Sequence, residues 1–156
     1  MINYRILKKN DIELINQFIQ GEGTDYVKYL KLGWSANQIL KQFTKDTDYS
    51  IGAFHNNSLV SFVIGDLFDI EKISEYEILL IYVSKSYRKQ GLGTSLIKKI
   101  DESNSFLKKI YLEVSKNNTQ AISFYKKMKF KRMHIRKNYF IEENKKIDAL
   151  TFVKIF

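Results

Sequence analysis

The sequence predicts an α/β (mixed α+β) chain: one domain over residues 1–156, with a mixed central sheet flanked by helices around a strand–helix–strand unit. Three observations predict it. The run Ile78-Leu79-Leu80-Ile81-Tyr82-Val83 is apolar and rich in β-formers, so it reads as a buried strand. A polar turn follows, with Gly91 and Gly93 opening a helical pattern of Leu92, Leu96, Ile97 and Ile100. Beyond it Lys109-Ile110-Tyr111-Leu112-Glu113-Val114 alternates, placing Ile110, Leu112 and Val114 on one face and Tyr111 and Glu113 on the other. A strand, helix and strand of this length form a right-handed unit, so the two strands are expected to be parallel neighbours.

The remaining elements are taken in order. Ile2 to Leu7 alternates weakly and suits an edge strand. Asn10 or Asp11 then caps a helix carrying Ile12, Ile15, Phe18 and Ile19, and Gly21-Glu22-Gly23 stops it. Tyr26 to Trp34 reads as a short helix or a loop. Ser35 and Gln38 make a capping box for a helix with Ile39, Leu40 and Phe43, and Trp34 before it is either a packing residue or a wall of a substrate groove. Asp48 to Phe54 and Ser58 to Leu67 are strands joined at His55-Asn56-Asn57, which makes His55 a turn residue rather than a catalyst. Asp66 to Glu77 is acidic (Asp66, Asp69, Glu71, Glu75, Glu77), and reads as a solvated loop or as a negative rim for a cationic substrate. Asn117-Asn118 caps a helix from Thr119 to Met128, and Phe130 to Tyr139 and Ile147 to Ile155 close the sheet. No linker, repeat or low-complexity block divides the chain.

The totals exclude several chemistries. Among 156 residues there is no cysteine, which removes disulfides, thiolate nucleophiles and thiolate metal sites. His55 and His134 stand in no metal-ligand spacing, so no metal is expected. A hydrophobic content of 44% with 14% aromatics suits a globular domain. No apolar stretch approaches the ~18 residues of a membrane span, and no secretory leader is legible, so no membrane partner and a cytoplasmic location are expected. The net charge of +9 favours polyanions without choosing among nucleic acid, ribosome and phosphorylated cofactor.

The segment after the central strand carries the chemistry. Glycines let a backbone approach a ligand, and the first turn of a helix leaves N–H groups unpaired. With Arg88 and Lys89 beside them, those donors form a pyrophosphate cradle. The other reading is a plain strand-to-helix connection. The segment is not a Walker loop, because no Lys-Ser or Lys-Thr follows the second glycine. Nor is it a dinucleotide fingerprint, which would need a third glycine near Leu96. Arg88-Lys89-Gln90-Gly91-Leu92-Gly93 instead resembles the Arg/Gln-x-x-Gly-x-Gly/Ala signature of the GNAT acetyltransferases, whose loop holds the pyrophosphate of acetyl-coenzyme A.

Two polar features stand out downstream. Glu113 lies at the carboxyl end of its strand, beside the crevice where ligands of such sheets bind. Asn118 and Tyr125 are seven residues apart with Ile122 between them, which puts an amide and a phenol on one helical stripe. Acyl transfer from a thioester needs a neutral amine, a held oxyanion and a proton for the leaving thiolate. An α-amine of pKa about 7.7–8.0 is partly neutral at pH 7, whereas a lysine near 10.4 is not. Glu113 is the candidate base, Tyr125 the candidate acid, and backbone N–H around Val83 the candidate oxyanion donor.

Leu112-Glu113-Val114, Asn118, Ala121-Ile122 and Tyr125 through Phe130 are similar to a second GNAT block, with Lys129 where the family usually has glycine. Arg136, Asn138, Tyr139, Asp148-Ala149 and the pair Trp34-Ser35 further resemble the RimI branch, which acetylates the N-terminal alanine of a small-subunit ribosomal protein. That resemblance implies Glu113 as proton acceptor and Tyr125 as proton donor. It places acetyl-coenzyme A on Ile81, Tyr82 and Val83, on Lys89, Gln90, Gly91, Leu92, Gly93 and Thr94, and on Asn118, to which the cradle reading adds Arg88. Glu75 and Glu77 remain rival bases. The expected acceptor is a protein N-terminus, with a basic ribosomal protein as one candidate. The alternatives are a small amine such as a polyamine or aminoglycoside, or a non-catalytic RNA- or ribosome-binding module using the lysines and arginines of residues 126–137. Nucleic acid is otherwise expected only through the ribosome.

Overall fold

A computed structural model describes residues 1–156. Seven strands, β1 (Ile2–Ile6), β2 (Ile51–His55), β3 (Ser58–Ile70), β4 (Ile73–Val83), β5 (Leu107–Ser115), β6 (Lys131–Glu142) and β7 (Lys145–Ile155), form one sheet in the order β1-β2-β3-β4-β5-β7-β6. Five helices, α1 (Ile12–Gln20), α2 (Thr24–Lys31), α3 (Ala36–Gln42), α4 (Leu92–Glu102) and α5 (Thr119–Lys127), complete the fold. Only β4 and β5 pair parallel, across the α4 crossover, as the spacing predicts. No helix is long and apolar enough to cross a membrane.

The sheet separates two cores. On one face α4 and α5 bury Leu96, Ile97, Ile100 and Tyr125 against Tyr76, Ile110, Leu112 and Phe152. On the other, α1, α2 and α3 bury Ile15, Ile19, Tyr29 and Ile39 against Phe62, Ile64 and Tyr82. Trp34 is half-buried and packs on this second core. Ser35 caps α3 by accepting from the Gln38 N–H at 3.2 Å. The segment from Tyr26 resolves as α2, and no side chain caps α1: the Asp11 carboxylate accepts instead from Arg5 and from the Lys8 N–H.

Three sequence expectations need correction. Asp66 to Glu77 is not a loop. It is the end of a long β3–β4 hairpin whose turn residues Glu71 and Lys72 adopt φ of 48° and 67°. Turn geometry normally signalled by glycine or asparagine is held here by strands of 13 and 11 residues with Leu67, Tyr76 and Ile78 in place, so the tertiary ladder overrides the turn chemistry. His55 lies in β2, not in the turn, and its Nδ1 is 2.8 Å from the Tyr87 hydroxyl; Asn56 and Asn57 alone take positive φ. Finally, Leu79, Leu80, Ile81 and Val83 are only half-buried. The reason is a split in the sheet. β4 and β5 stay paired from Ser74↔Leu107 to Ile78↔Leu112 and then part, while β5 continues along β7 to Ser115↔Ala149.

Candidate active site

The split creates the site. Opposite it, Gly65 pairs with Ile78 and Ile64 with Leu80, so Leu79 is an extra residue that bends β4 away from β5. The Ser84 N–H donates to Val60 at 2.9 Å, and by the alternation of an antiparallel ladder Tyr82 and Leu80 also face β3. Ile81 and Val83 therefore turn their main-chain groups toward the gap. The gap widens into a groove of about 820 Å³ between Leu80–Val83, the segment from Tyr87 to Thr94, α2, and Asn118, Ala121 and Phe124 of the α5 end.

The loop entering α4 is a row of unused donors. The first helical bond of α4 is Ser95 N–H to Gly91 carbonyl at 2.9 Å, and no backbone hydrogen bond is donated by residues 89 to 94. With the positive end of an eleven-residue helix behind them, these N–H groups suit an oxyanion-rich ligand. Gly91 takes φ of 82°, a conformation that strains any other residue. A Cβ on Gly93 would stand 3.1 Å from the Phe124 ring, so this glycine lets α5 close on α4.

The sequence-derived cofactor residues divide. Ile81, Tyr82, Val83, Lys89, Gly91, Leu92, Gly93, Thr94 and Asn118 all line the groove. Asn118 also caps α5, accepting from the Ala121 N–H at 3.1 Å, which leaves its amide N–H free. Arg88 lines the groove but is not a free cation. Its guanidinium donates to Asp25 at 2.8 Å and to the Val83 carbonyl at 3.1 Å. Gln90 lies off the groove, its side chain turned onto the Ser86 carbonyl at 3.1 Å. Its contribution is an unpaired N–H.

Sequence reasoning missed what Arg88 touches. Glu22, read only as part of a helix stop, accepts from Tyr82 at 2.7 Å, Ser84 at 2.9 Å and the Lys85 N–H at 3.2 Å. Asp25 accepts from Arg88 and lies 2.9 Å from the Tyr82 hydroxyl. Burial alone would raise Asp25, but the bonds from Arg88 and Tyr82 outweigh it and hold its carboxyl below the usual range. The α1–α2 connection is thereby latched to the groove. The flanking glycines of Gly21-Glu22-Gly23 were the one available signal.

Carboxylates gather on the face that α1 to α3 cover only in part. Asp66 sits opposite Glu77, and Glu77 opposite Tyr111. Asp66 is buried, yet hydrogen bonds from Gln42 at 2.8 Å, Lys45 at 3.0 Å and Thr47 at 2.8 Å outweigh the burial and lower its pKa. Glu77 shifts the other way: burial raises it, and Asp66 and Glu113 add to the rise. Tyr111 beside it is pushed up to about 12, mainly by burial. Glu75 is taken by Lys109 at 2.9 Å. Glu113 lies one residue past the split, its carboxylate 3.2 and 3.3 Å from Arg136.

Tyr125 and Asn118 do not share one stripe: Asn118 stands outside the helix as its cap, and Tyr125 is buried among Phe124, Phe130 and Phe152. Its hydroxyl makes no hydrogen bond within the chain, and burial raises its pKa, so it is a protonated phenol at neutral pH. The helix end fixes it. The Phe130 N–H donates to the Tyr125 carbonyl and the Lys129 N–H to Lys126, both at 3.0 Å, with Lys129 in the left-handed region at φ 67°. Lysine thus occupies the glycine position of an intact turn.

A parallel pair that parts over a row of donors, running on into an amide-lined helix start, makes a groove suited to an extended, phosphate-bearing ligand. The chain belongs to the Acetyltransferase (GNAT) family, whose profile matches residues 13–130. N-alpha-acetyltransferase 60 of Xenopus tropicalis is 23% identical over 90% of this chain and 69% of its own length. The ribosomal-protein-S18-alanine N-acetyltransferase of Escherichia coli superposes with a TM-score of 0.80 at 20% identity, covering 99% of this chain and 94% of that one. Arabidopsis thaliana NAA60 in complex with acetyl-CoA superposes with a TM-score of 0.79 at 19% identity, covering 100% and 99%. Archaeal N-alpha-acetyltransferases match over less than half of their own length. As a member of the family, the chain is an acetyl-CoA-dependent N-acetyltransferase.

Proposed function

We propose that the chain moves the acetyl group of acetyl-CoA to the α-amine at the N-terminus of a protein. The observation that carries this reading is the parting of β4 and β5 after Ile78↔Leu112. Past that point main-chain groups of Ile81 and Val83 have no strand partner on the β5 side and suit a thioester, and Glu77 and Glu113 near the end of the paired stretch are the carboxylates this reading draws on. The undonated N–H groups of residues 89 to 94 hold the pyrophosphate, and Asn118 offers its amide N–H farther along the groove. A main-chain N–H at Ile81 or Val83 holds the carbonyl oxygen as negative charge develops on it. Glu113, through a water, accepts the proton that the attacking amine loses. Tyr125, which burial keeps protonated, supplies the proton that the departing thiolate takes up. Glu77 is the second carboxylate at the gap, and its raised pKa brings it toward the working range of a base. The relatives named for N-terminal acetylation support this substrate class, and a ribosomal protein is the proposed partner.

The test is turnover with an Ala-Arg-Tyr peptide against the same peptide blocked at its α-amine and carrying one lysine. The neutral fractions of the two amines at pH 7.5 differ by about 300-fold, so the free N-terminus is expected to lead in kcat/KM by that order. Faster turnover of spermidine than of the peptide would refute the reading.

A further inference from the structure

Between Val114 and Ile141 the chain carries no acidic residue, while its cations cluster from Lys126 to Lys137. Two cations of this stretch are spent in ion pairs, Lys116 on Asp148 at 3.4 Å and Arg136 on Glu113 at 3.2 Å. Lys126, Lys129, Lys131, Arg132 and Lys137 are exposed and lie within 4.0 Å of no carboxylate, as does Lys127, which also lines the groove. The fold brings them to one border of the molecule. β6 is the outermost strand of the sheet, with every residue from Lys131 to Tyr139 exposed, and α5 ends beside its start. Register puts them on both flanks of that border. Arg132 pairs with Phe152 and so shares the α5 face with Lys126 and Lys127, whereas Lys131 pairs with Val153 on the Glu113 face.

We propose that this two-flanked basic border is a docking surface for double-stranded RNA, additional to the acetyl-transfer site and independent of which amine is acetylated. A flat anionic bilayer meets cations on one side of a ridge only. A double helix presents phosphates on both walls of a groove, and the wide, shallow minor groove of A-form RNA admits an edge strand with cations reaching either wall. The minor groove of B-form DNA, about 6 Å across, is narrower than a strand with its side chains, but its major groove admits a two-stranded ribbon, so a DNA duplex is the competing occupant that the experiment must exclude. Recognition is by backbone: one face of the exposed Tyr139 ring is already covered by the Arg136 guanidinium, 4.0 Å from its centre. The five cations outside the groove, on phosphates, correspond to a slope of log K on log salt of at most about −4.5, and to a dissociation constant of roughly 1–100 μM at physiological salt.

The experiment is fluorescence anisotropy with a labelled RNA duplex of about 20 base pairs, titrated with the full chain at 50 and 150 mM salt. A variant with Lys126, Lys131, Arg132 and Lys137 each changed to Ala is compared with one carrying Lys9→Ala, Lys31→Ala, Lys41→Ala and Lys98→Ala, which removes equal charge elsewhere. The first is expected to lose at least 10-fold in affinity and about 3 to 4 of the salt slope, the second less than 3-fold, with peptide acetylation by both unchanged. Equal losses from the two variants would reduce the effect to net charge and overturn the proposal. Tighter binding to a DNA duplex, or to vesicles of 30% phosphatidylserine without RNA binding, would also overturn it. Should the first variant misfold, lysine reactivity of the unaltered protein decides: RNA must protect Lys126, Lys131 and Lys137, and protection spread evenly over all lysines counts against the border.

Discussion

The two halves of the sheet are built differently. Over β2 and most of β3 both faces are covered, by α4 on one side and by α1 to α3 on the other, and Phe62, Val63 and Ile64 are fully buried in succession. From β5 to β6 only the α5 face is covered, and the opposite face carries Tyr111, Glu113, Lys131, His134 and Arg136. The first half is a scaffold in which packing decides everything. The second trades burial for polar groups that face a partner. The groove lies on the seam, where the covered half ends and β5 leaves β4.

The sharpest way to break this comparison is at the phenol buried on the covered face of the second half. Tyr125→Phe keeps the ring packing and removes the hydroxyl, so kcat with peptide is expected to fall by about 10²- to 10⁴-fold while the melting temperature holds. An unchanged kcat would return Tyr125 to the core. Packing gives the next effect. Leu96→Ala, at 0% exposure under β4, is expected to cost about 2–5 kcal/mol in chemical denaturation, whereas Ile135→Ala on the open border should stay within about 0.5 kcal/mol.

A third measurement uses pH. The folded pKa of Asp66 lies below its unfolded value, so its stabilising contribution is present above the ordinary carboxylate pKa and lost as pH falls through the folded one. Asp66→Asn should therefore lower the melting temperature at pH 7 and converge with the parent below pH 4. Glu77, directly opposite, has a raised folded pKa, so its contribution is present below the unfolded value and lost as pH rises through the folded one. Glu77→Gln should raise the melting temperature at pH 7 and leave it unchanged at pH 4. The smallest effect concerns the turn after α5. Lys129→Gly relieves a side chain at φ 67° and is expected to stabilise by about 1 kcal/mol, with activity unaltered.

Legibility in the sequence followed these halves. Hydrophobic spacing found α1, α3, α4 and α5, because each buries one apolar stripe and the stripe is local. Paired carboxylates were harder: Glu75, Glu77 and Glu113 are alike in sequence, and only their neighbours separate them. Lys109 occupies the first, burial lifts the second, and Arg136 holds the third.

By itself the sequence determined the strand–helix–strand order, the glycine-bearing entry to α4, and the family to which those residues point, since all of these rest on neighbours within one or two turns of chain. Tertiary structure alone decided that Leu79 bulges, that β4 and β5 separate, that Asp66 to Glu77 is a hairpin, and that Arg88 reaches Asp25 instead of an open phosphate site. Each of these depends on which distant strand or helix comes to lie alongside. Pairing registers and guanidinium partners are settled by contacts between residues dozens of positions apart, and such contacts leave no periodicity for a local pattern to reveal.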